Sequence, residues 1–367
     1  MLCPTLAETP TFNQQEPQTV STQRPLEIQV HYPVTRGRIT LRTEQDWDTP
    51  VEASTVSADR QTATFTISTD QPFIYYKACL QVEDRVYWAK GENALATVEG
   101  PVVQNYPYFH GPTGGSIGDL LEIADPHGAG AHKVRCYYPP GYYENPLQRF
   151  PVLYMHDGQN LFFPYEAFLG DDWQVDSTMG LLNAMSAVRR CIVVGVYAKD
   201  RENEYTRPGY EAYGRFLVEQ LKKATIDRTL RTLPGPEHTA VMGSSLGGVV
   251  SLYLAWQWPE VFGMAACMSS TFTWKDDLME RIAQEPRRNI RLYLDSGWPG
   301  DNYEVTAAMR DLLLRRGFKS GSDLMYFAFP EALHSEKYWA MRSHIPYQFF
   351  FGAGFRAYRN QLRARCD

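Results

Sequence analysis

The segment 243–248 reads GSSLGG and contains a G-x-S-x-G pattern, whose central residue is Ser245. A short apolar stretch at 239–242 predicts a buried strand before the pattern, and apolar residues at helical spacing follow it at 249–254. In the order strand, pattern and helix, the central serine lies in a tight turn that exposes its hydroxyl above a sheet. We predict that Ser245 is a nucleophile. We also expect both flanking glycines to be required, because a Cβ would collide with the adjacent strand and helix.

A serine hydroxyl needs a base that accepts its proton, and the base needs a carboxylate that orients it. In folds with this turn, the carboxylate and then the histidine follow in later loops. Asp301 lies in a Gly/Pro loop after an apolar stretch, and His334 follows the last apolar stretch. We favour these two residues. Asp295 and Glu304 remain alternatives for the acid, and His344 is the weaker alternative for the base.

The oxyanion of an acyl-transfer intermediate needs two backbone N–H donors. The N–H of Leu246, at the start of the predicted helix, is one such donor. The second predicted donor is the N–H of Gln159, in the loop after the apolar stretch 151–155. We interpret His156 and Asp157, in the same loop, as residues that hold the loop together by hydrogen bonds.

From residue 134 onward, strand and helix patterns alternate, which predicts a mostly parallel sheet with helices on both faces. Strands are expected at 134–138, 151–155, 191–196, 239–242, 263–269, 290–294 and 325–329. Helices are expected at 173–187, 213–226, 305–316 and in a segment that carries both Trp339 and His344. The catalytic domain would therefore span 134–367, with a linker and an edge hairpin at 101–133.

Residues 25–100 contain at least five short alternating segments and no helical period, which predicts a small β-sandwich. One hairpin is expected from 73–82 to 85–88. Residues 1–24 are polar and predict a flexible arm.

The end of the predicted sandwich, Trp88–Asn93, has the pattern W-x-x-G-x-N. It resembles the end of starch-binding and related carbohydrate-binding sandwiches, and Trp47 would lie in an earlier loop. The alternative, which we favour, is an early-set, immunoglobulin-like spacer domain in which Trp88 belongs to the core.

The composition is that of a globular protein with two domains: 367 residues, 44% of them hydrophobic and 21% charged. The net charge of −6 argues against a nucleic-acid or acidic-membrane partner. The sequence has no transmembrane run, and its first 25 residues do not resemble a secretory signal. Six scattered cysteines without a C-x-x-C pair favour a reducing cytoplasm. We expect no metal and no cofactor, and the oligomeric state is not predicted.

Several segments together resemble the Putative esterase family (esterase D-like and enterochelin esterase-like) of α/β-hydrolases. They are YYPPGY at 137–142, PVLYMHDGQNLF at 151–162, WQVD at 173–176, EYT at 204–206, GSSLGG at 243–248 and HS at 334–335. The resemblance implies an α/β-hydrolase fold with Ser245 as the nucleophile and His334 as the base. In related enzymes the acid loop reads G-x-P-x-[ED], which falls on Asp301. The resemblance also implies an oxyanion hole formed by Gln159 and Leu246.

We therefore predict a serine carboxylic-ester hydrolase that acts through an acyl-enzyme on an acylated saccharide or an aryl, feruloyl-like ester. A siderophore trilactone esterase or an acyltransferase is the first alternative. A glucan-binding protein with an inactive hydrolase domain is the alternative from another class, and glucan contact would occur through the N-terminal domain. Trp298, Trp339, Tyr205 and Arg201 are candidates to line the substrate pocket.

Overall fold

The structure is a computed structural model that describes residues 23–126 and 130–352. Most of the predicted arm at 1–24 lies outside the described residues, as do Cys3 and Cys366. An all-β region comes first in the chain, and a mixed sheet with flanking helices follows it. The predicted fold class is confirmed.

Two sheets form the N-terminal sandwich, in the orders β4-β5-β1-β9 and β3-β2-β6-β7, with β8 paired to β6. The strands are β1 (Arg24–His31), β2 (Arg38–Thr43), β3 (Asp46–Val51), β4 (Thr55–Val56), β5 (Thr62–Thr69), β6 (Phe73–Val82), β7 (Arg85–Trp88), β8 (Ala94–Thr97) and β9 (Val103–Asn105). Alternate residues of β1 point inward, so Leu26, Ile28 and Val30 enter the core between the sheets. β9 pairs in parallel with β1, so this sheet continues past residue 100.

Trp88 is not a core residue. It ends β7, where it pairs with Cys79 of β6, and 44% of it is exposed. The favoured prediction of a core tryptophan was therefore wrong, because alternation along a four-residue edge strand does not reveal which face is covered. Trp47, expected in a loop, lies on β3.

The second part is built on a nine-stranded sheet in the order β10-β12-β14-β13-β15-β16-β17-β18, with β11 paired to β12. The strands are β10 (Ser116–Ile117), β11 (Leu121–Ala124), β12 (Ala131–Tyr138), β13 (Val152–His156), β14 (Ile192–Val196), β15 (Thr239–Ser244), β16 (Met264–Met268), β17 (Arg291–Trp298) and β18 (Leu324–Pro330). β12 runs antiparallel to β14, and the strands from β14 to β18 are parallel. Their carboxyl ends therefore meet at one edge of the sheet.

The helices are α1 (Val175–Ala184), α2 (Arg201–Tyr205), α3 (Gly209–Arg215), α4 (Asp227–Thr229), α5 (Leu246–Gln257), α6 (Leu278–Gln284), α7 (Tyr303–Arg315), α8 (Glu336–Arg342) and α9 (His344–Phe351). A π-helix, Phe216–Ile226, joins α3 to α4. The helix predicted at 213–226 thus begins earlier and changes type, which apolar spacing alone does not signal. The segment with Trp339 and His344 forms two helices.

Both faces of the large sheet are covered. On β13, Val152 and Tyr154 enter one core, whereas Leu153 and Met155 enter the core on the opposite face. This burial explains why the parallel strands are continuously apolar. The four described cysteines are buried free thiols. Within 23–126 and 130–352, no helix is long and apolar enough to cross a membrane.

Candidate active site

Ser245 occupies the turn between β15 and α5, with φ 55° and ψ −120°. Non-glycine residues rarely adopt this backbone conformation, which costs on the order of 1–3 kcal/mol and is concentrated at functional sites. The N–H of Ser245 donates to the carbonyl of Met268, at the end of the neighbouring strand, at 2.9 Å. The turn thus presents a partly exposed serine at the carboxyl edge of the sheet, as predicted.

The glycines around this turn differ in how much space a Cβ would find. A Cβ on Gly243 would lie 2.7 Å from the backbone of Gly247, so the predicted collision is confirmed there. A Cβ on Gly247 would meet its nearest neighbour, the Cβ of His156, only at 3.4 Å, so the predicted collision at this position was wrong. Gly248 is the tighter position, because a Cβ there would lie 1.9 Å from Ser270 Oγ.

The structure brings His334 and Asp301 together. Nδ1 of His334 lies 2.6 Å from Oδ1 of Asp301, and the two side chains are 40% and 1% exposed. Burial raises the pKa of Asp301, but hydrogen bonds from His334, Ser269 and the N–H of Gly297, with the charge of Arg342, outweigh it and hold the pKa below its ordinary value. Asp301 is therefore an ionised acceptor, and Nε2 of the imidazole is left for other partners.

The alternative acids lie elsewhere. Asp295 sits inside β17 and is fully buried, with Oδ2 accepting from the Tyr293 hydroxyl at 2.8 Å and Oδ1 at 3.1 Å from Arg342. Burial raises the pKa of Asp295 to about 6 against the opposing effect of Arg342. Glu304 is exposed in the first turn of α7. His344, the alternative base, is the first residue of α9, and its Nδ1 bonds the carbonyl of Met341.

The two predicted oxyanion donors follow neighbouring strands of the sheet, β13 and β15. Gln159 belongs to a single 3-10 turn, Gly158–Asn160, directly after β13, and Leu246 is the first residue of α5. The first N–H groups of a helix have no intrahelical acceptor, so they are available to an anion. A Cβ on Gly158 would lie 2.6 Å from the Tyr197 ring and 2.7 Å from the backbone of Gly195, which explains the glycine before Gln159.

A further contact joins the loop of Gln159 to the loop of His334. Asn160 Nδ2 donates to Glu336 Oε1 at 3.2 Å, so the residue after Gln159 holds the helix that follows His334. Burial, followed by the charge of Asp157, raises the pKa of Glu336, although Arg201 and His334 oppose the rise. Among the residues that the structure describes, no hydrogen bond joins Ser245 Oγ to His334 Nε2. Such bonds are often long in the absence of substrate.

His156 and Asp157 hold their loop in place. His156 Nδ1 lies 2.9 Å from the Tyr213 hydroxyl, and burial, with the charge of Arg201, lowers the pKa of His156 to about 3. The Asp157 carboxylate accepts three hydrogen bonds of 2.9 to 3.1 Å from the Arg201 guanidinium. This bidentate pair is a strong arrangement. It fixes the loop that carries Gln159.

The four predicted pocket residues differ in position. Tyr205 is fully buried and accepts the N–H of Asp157 at 3.0 Å, so it belongs to the scaffold. Trp339 is also buried, and its ring stands edge-on to that of His334 at 4.9 Å between centroids. Arg201 is partly exposed but engaged with Asp157. Trp298, 48% exposed at the end of β17, is the one of the four that faces open space.

Sequence reasoning missed two residues beneath Asp301. Ser269 Oγ donates to Asp301 Oδ2 at 2.6 Å, and the buried Arg342 lies 3.3 Å from the same oxygen. Ser269 follows β16 at the sheet edge where the other site residues lie, which is the signal that was available. No spacing pattern identifies Arg342, since it comes from the end of α8.

No group of three or more His, Cys, Asp or Glu residues within the described ranges is arranged to hold a metal ion.

The family model Esterase, described as "Putative esterase", matches residues 129–342. An uncharacterized protein of Bacillus subtilis, YbbA, is 23% identical over 169 residues, which cover 42% of this chain and 63% of that relative. The match therefore spans less than two thirds of the relative's length.

Solved structures with a similar fold include two esterases. A ferulic acid esterase has a TM-score of 0.54 at 16% identity and covers 64% of this chain and 98% of its own. The enterobactin esterase from Shigella flexneri has a TM-score of 0.50 at 12% identity and covers 90% of this chain and 97% of its own. The second similarity extends over the N-terminal all-β region as well.

Proposed function

Because the chain belongs to the Esterase family, we propose that it is a serine carboxylic-ester hydrolase in which Ser245, His334 and Asp301 form the catalytic triad. The observation that carries this proposal is the 2.6 Å contact between His334 Nδ1 and Asp301 Oδ1. It lies at the carboxyl edge of the sheet, where the strained turn presents Ser245.

The proposed reaction begins when Ser245 Oγ attacks the ester carbonyl carbon and His334 Nε2 accepts the hydroxyl proton. The N–H groups of Gln159 and Leu246 stabilise the resulting oxyanion, at roughly 3 kcal/mol for each donor in comparable sites. The intermediate collapses, and His334 gives its proton to the leaving alcohol. Water, deprotonated by His334, then attacks the acyl-enzyme and releases the acid.

For the substrate we propose an acylated saccharide or an aryl ester. Trp298 favours a substrate with an apolar or planar group, because its exposed ring lies at the end of β17, just before the loop of Asp301. A siderophore trilactone is the second candidate, because the enterobactin esterase shares both parts of the fold. An alcohol in place of water in the second step would make the protein an acyltransferase, which product analysis with added alcohols would detect.

The nucleophile is tested by labelling the full chain with a fluorophosphonate probe and mapping the labelled peptide. We expect one label per chain, on Ser245, because it is the serine of the strained turn and has the two N–H donors next to it. Hydrolysis of p-nitrophenyl acetate should fall in proportion to labelling. A protein that neither labels nor hydrolyses this ester would contradict the proposal and favour the glucan-binding alternative.

We further propose that the sandwich contacts a glucan through its outer face, and the exposure of Trp88 is the observation that favours this. Trp88 pairs with Cys79, so it lies on the same face as Lys77 and Tyr75, the alternate residues of β6. Tyr75 is exposed as well. An exposed aromatic ring on the same face as a cation and a phenol offers an apolar surface and hydrogen-bonding groups to a sugar.

Glucan contact is tested by retention of the full chain on amylose resin. We expect Trp88→Ala to lose retention, since it removes the exposed ring, and to keep wild-type turnover of p-nitrophenyl acetate. Val86→Ala, which shortens an exposed side chain of the same strand, is the matched control and should be retained. Equal retention of wild type and Trp88→Ala, or no retention of the wild type, would overturn this assignment.

A further inference from the structure

Ser269, the first residue after β16, lies at the centre of a buried polar cluster beneath the proposed acid. Its hydroxyl contacts Asp301 Oδ2 at 2.6 Å, Trp339 Nε1 at 2.9 Å and Nη2 of Arg342. Its carbonyl accepts the side-chain amide of Asn302 at 2.7 Å. Ser269 is fully buried, so water does not compete for these contacts.

The direction of the Ser269 hydroxyl proton follows from counting donors and acceptors. A serine hydroxyl has one proton and two lone pairs. Trp339 Nε1 and the Arg342 guanidinium are donors only, so they occupy both lone pairs. The proton is therefore left for Asp301 Oδ2, which is an acceptor.

The Asp301 carboxylate is thus fixed from one side. Oδ2 accepts from Ser269 at 2.6 Å and from the N–H of Gly297 at 2.7 Å, with Arg342 at 3.3 Å. These donors leave Oδ1 directed at His334 Nδ1. Asp301 itself has a φ of 57°, a left-handed backbone conformation that residues other than glycine rarely adopt.

We propose that Ser269 is a positioning residue for the triad, held by Trp339 and Arg342 so that its hydroxyl orients the Asp301 carboxylate toward His334. This inference rests on the proposed function. Ser269 contacts neither the substrate nor the imidazole. It acts through Asp301, both by orienting the carboxylate and by drawing electron density from the oxygen that it bonds.

The test compares Ser269→Ala and Ser269→Gly with the wild type in kcat, KM and the pH dependence of kcat/KM. We expect kcat to fall roughly 10-fold in both, with KM within about 2-fold, because a loosened carboxylate misplaces the base. We also expect the acid limb of the pH profile of kcat/KM to move to higher pH. The Ser269 hydroxyl is one of the hydrogen bonds that hold the pKa of Asp301 below its ordinary value, so its loss raises that pKa and the site takes up a proton at higher pH.

The glycine variant separates positioning from backbone effects. Ser269 has a φ of 45°, a conformation that glycine adopts without strain. A purely structural role would therefore leave Ser269→Gly with wild-type kcat and an unmoved acid limb, which would overturn the inference. Ser270→Ala is the matched control, since Ser270 is equally buried and its hydroxyl has no hydrogen-bond partner among the described residues. We expect this control to keep both wild-type values.

Fluorophosphonate labelling of all four proteins distinguishes the two proposals. If the wild type labels at Ser245 and hydrolyses the ester while Ser269→Ala and Ser269→Gly match it in kcat and pH profile, only the role of Ser269 is wrong. If the wild type does neither, the proposed function itself fails. Thermal unfolding of each variant identifies any loss that comes from misfolding.

Discussion

Ser245→Ala is expected to lower kcat for p-nitrophenyl acetate by roughly 10⁴- to 10⁶-fold, to the residual rate supplied by binding and the oxyanion donors. The variant cannot form the acyl-enzyme, so labelling by a fluorophosphonate should vanish together with turnover. Alanine and serine tolerate the backbone of residue 245 about equally, and the neighbouring Gly243 and Gly247 are unchanged. The melting temperature should therefore stay close to that of the wild type.

Ser251→Ala is a suitable control for this experiment. Ser251 is a fully buried serine of α5, the helix that begins directly after Ser245, and its hydroxyl donates to the carbonyl of Gly247 at 2.7 Å. We expect it to lose some stability and to keep labelling and turnover. Full esterase activity in Ser245→Ala would show that another residue attacks the ester, and the assignment of the nucleophile would have to be abandoned.

The sequence was sufficient to predict the strand–turn–helix around Ser245 because all of its determinants lie within about fifteen residues. The buried strand, the glycines and the apolar helix are local features, which can be recognised without knowledge of the tertiary structure. The order of Asp301 and His334 along the chain was also available. The resemblance to the esterase family, based on several short segments together, is confirmed by the match over residues 129–342.

The choice among acids required the structure. From the sequence, β17 was expected to end near residue 294, which placed Asp295 at the strand end beside Asp301. In the structure β17 continues to Trp298, so Asp295 lies within the strand, buried against Arg342. Strand ends are difficult to predict because they depend on pairing with neighbours, here with β18 as far as Pro330.

Side-chain environments were the least predictable part. Tyr205 and Trp339 have residue types that suit a pocket, yet both are buried, and each makes its hydrogen bond to a residue of the scaffold around the site. Trp88 showed the opposite error, since it was assigned to a core and is exposed. Aromatic residues with a polar atom suit either environment, so only the packing of distant segments decides between them.

Asp301→Asn is expected to lower kcat about 10⁴-fold, and the contacts around Asp301 give the reason. Three donors face Oδ2: the Ser269 hydroxyl, the Gly297 N–H and Arg342. An asparagine NH₂ group is itself a donor and cannot replace Oδ2 among these three donors. The side chain would therefore turn its oxygen to them and its NH₂ group to His334. Nδ1 would then have to accept a hydrogen bond, and the proton of the neutral imidazole would move to Nε2. That tautomer cannot take the proton of Ser245.

The comparison for Asp301→Asn is Glu304→Gln, because Glu304 is the nearby exposed carboxylate that the sequence left open as an acid. We expect Glu304→Gln to keep wild-type kcat, KM and pH profile. The variants are compared by steady-state hydrolysis of p-nitrophenyl acetate, with fluorophosphonate labelling rates as a second measure of base strength. Wild-type turnover by Asp301→Asn, or a large loss in Glu304→Gln, would mean that the imidazole takes its orientation from another carboxylate and that the 2.6 Å contact is not the one used in catalysis.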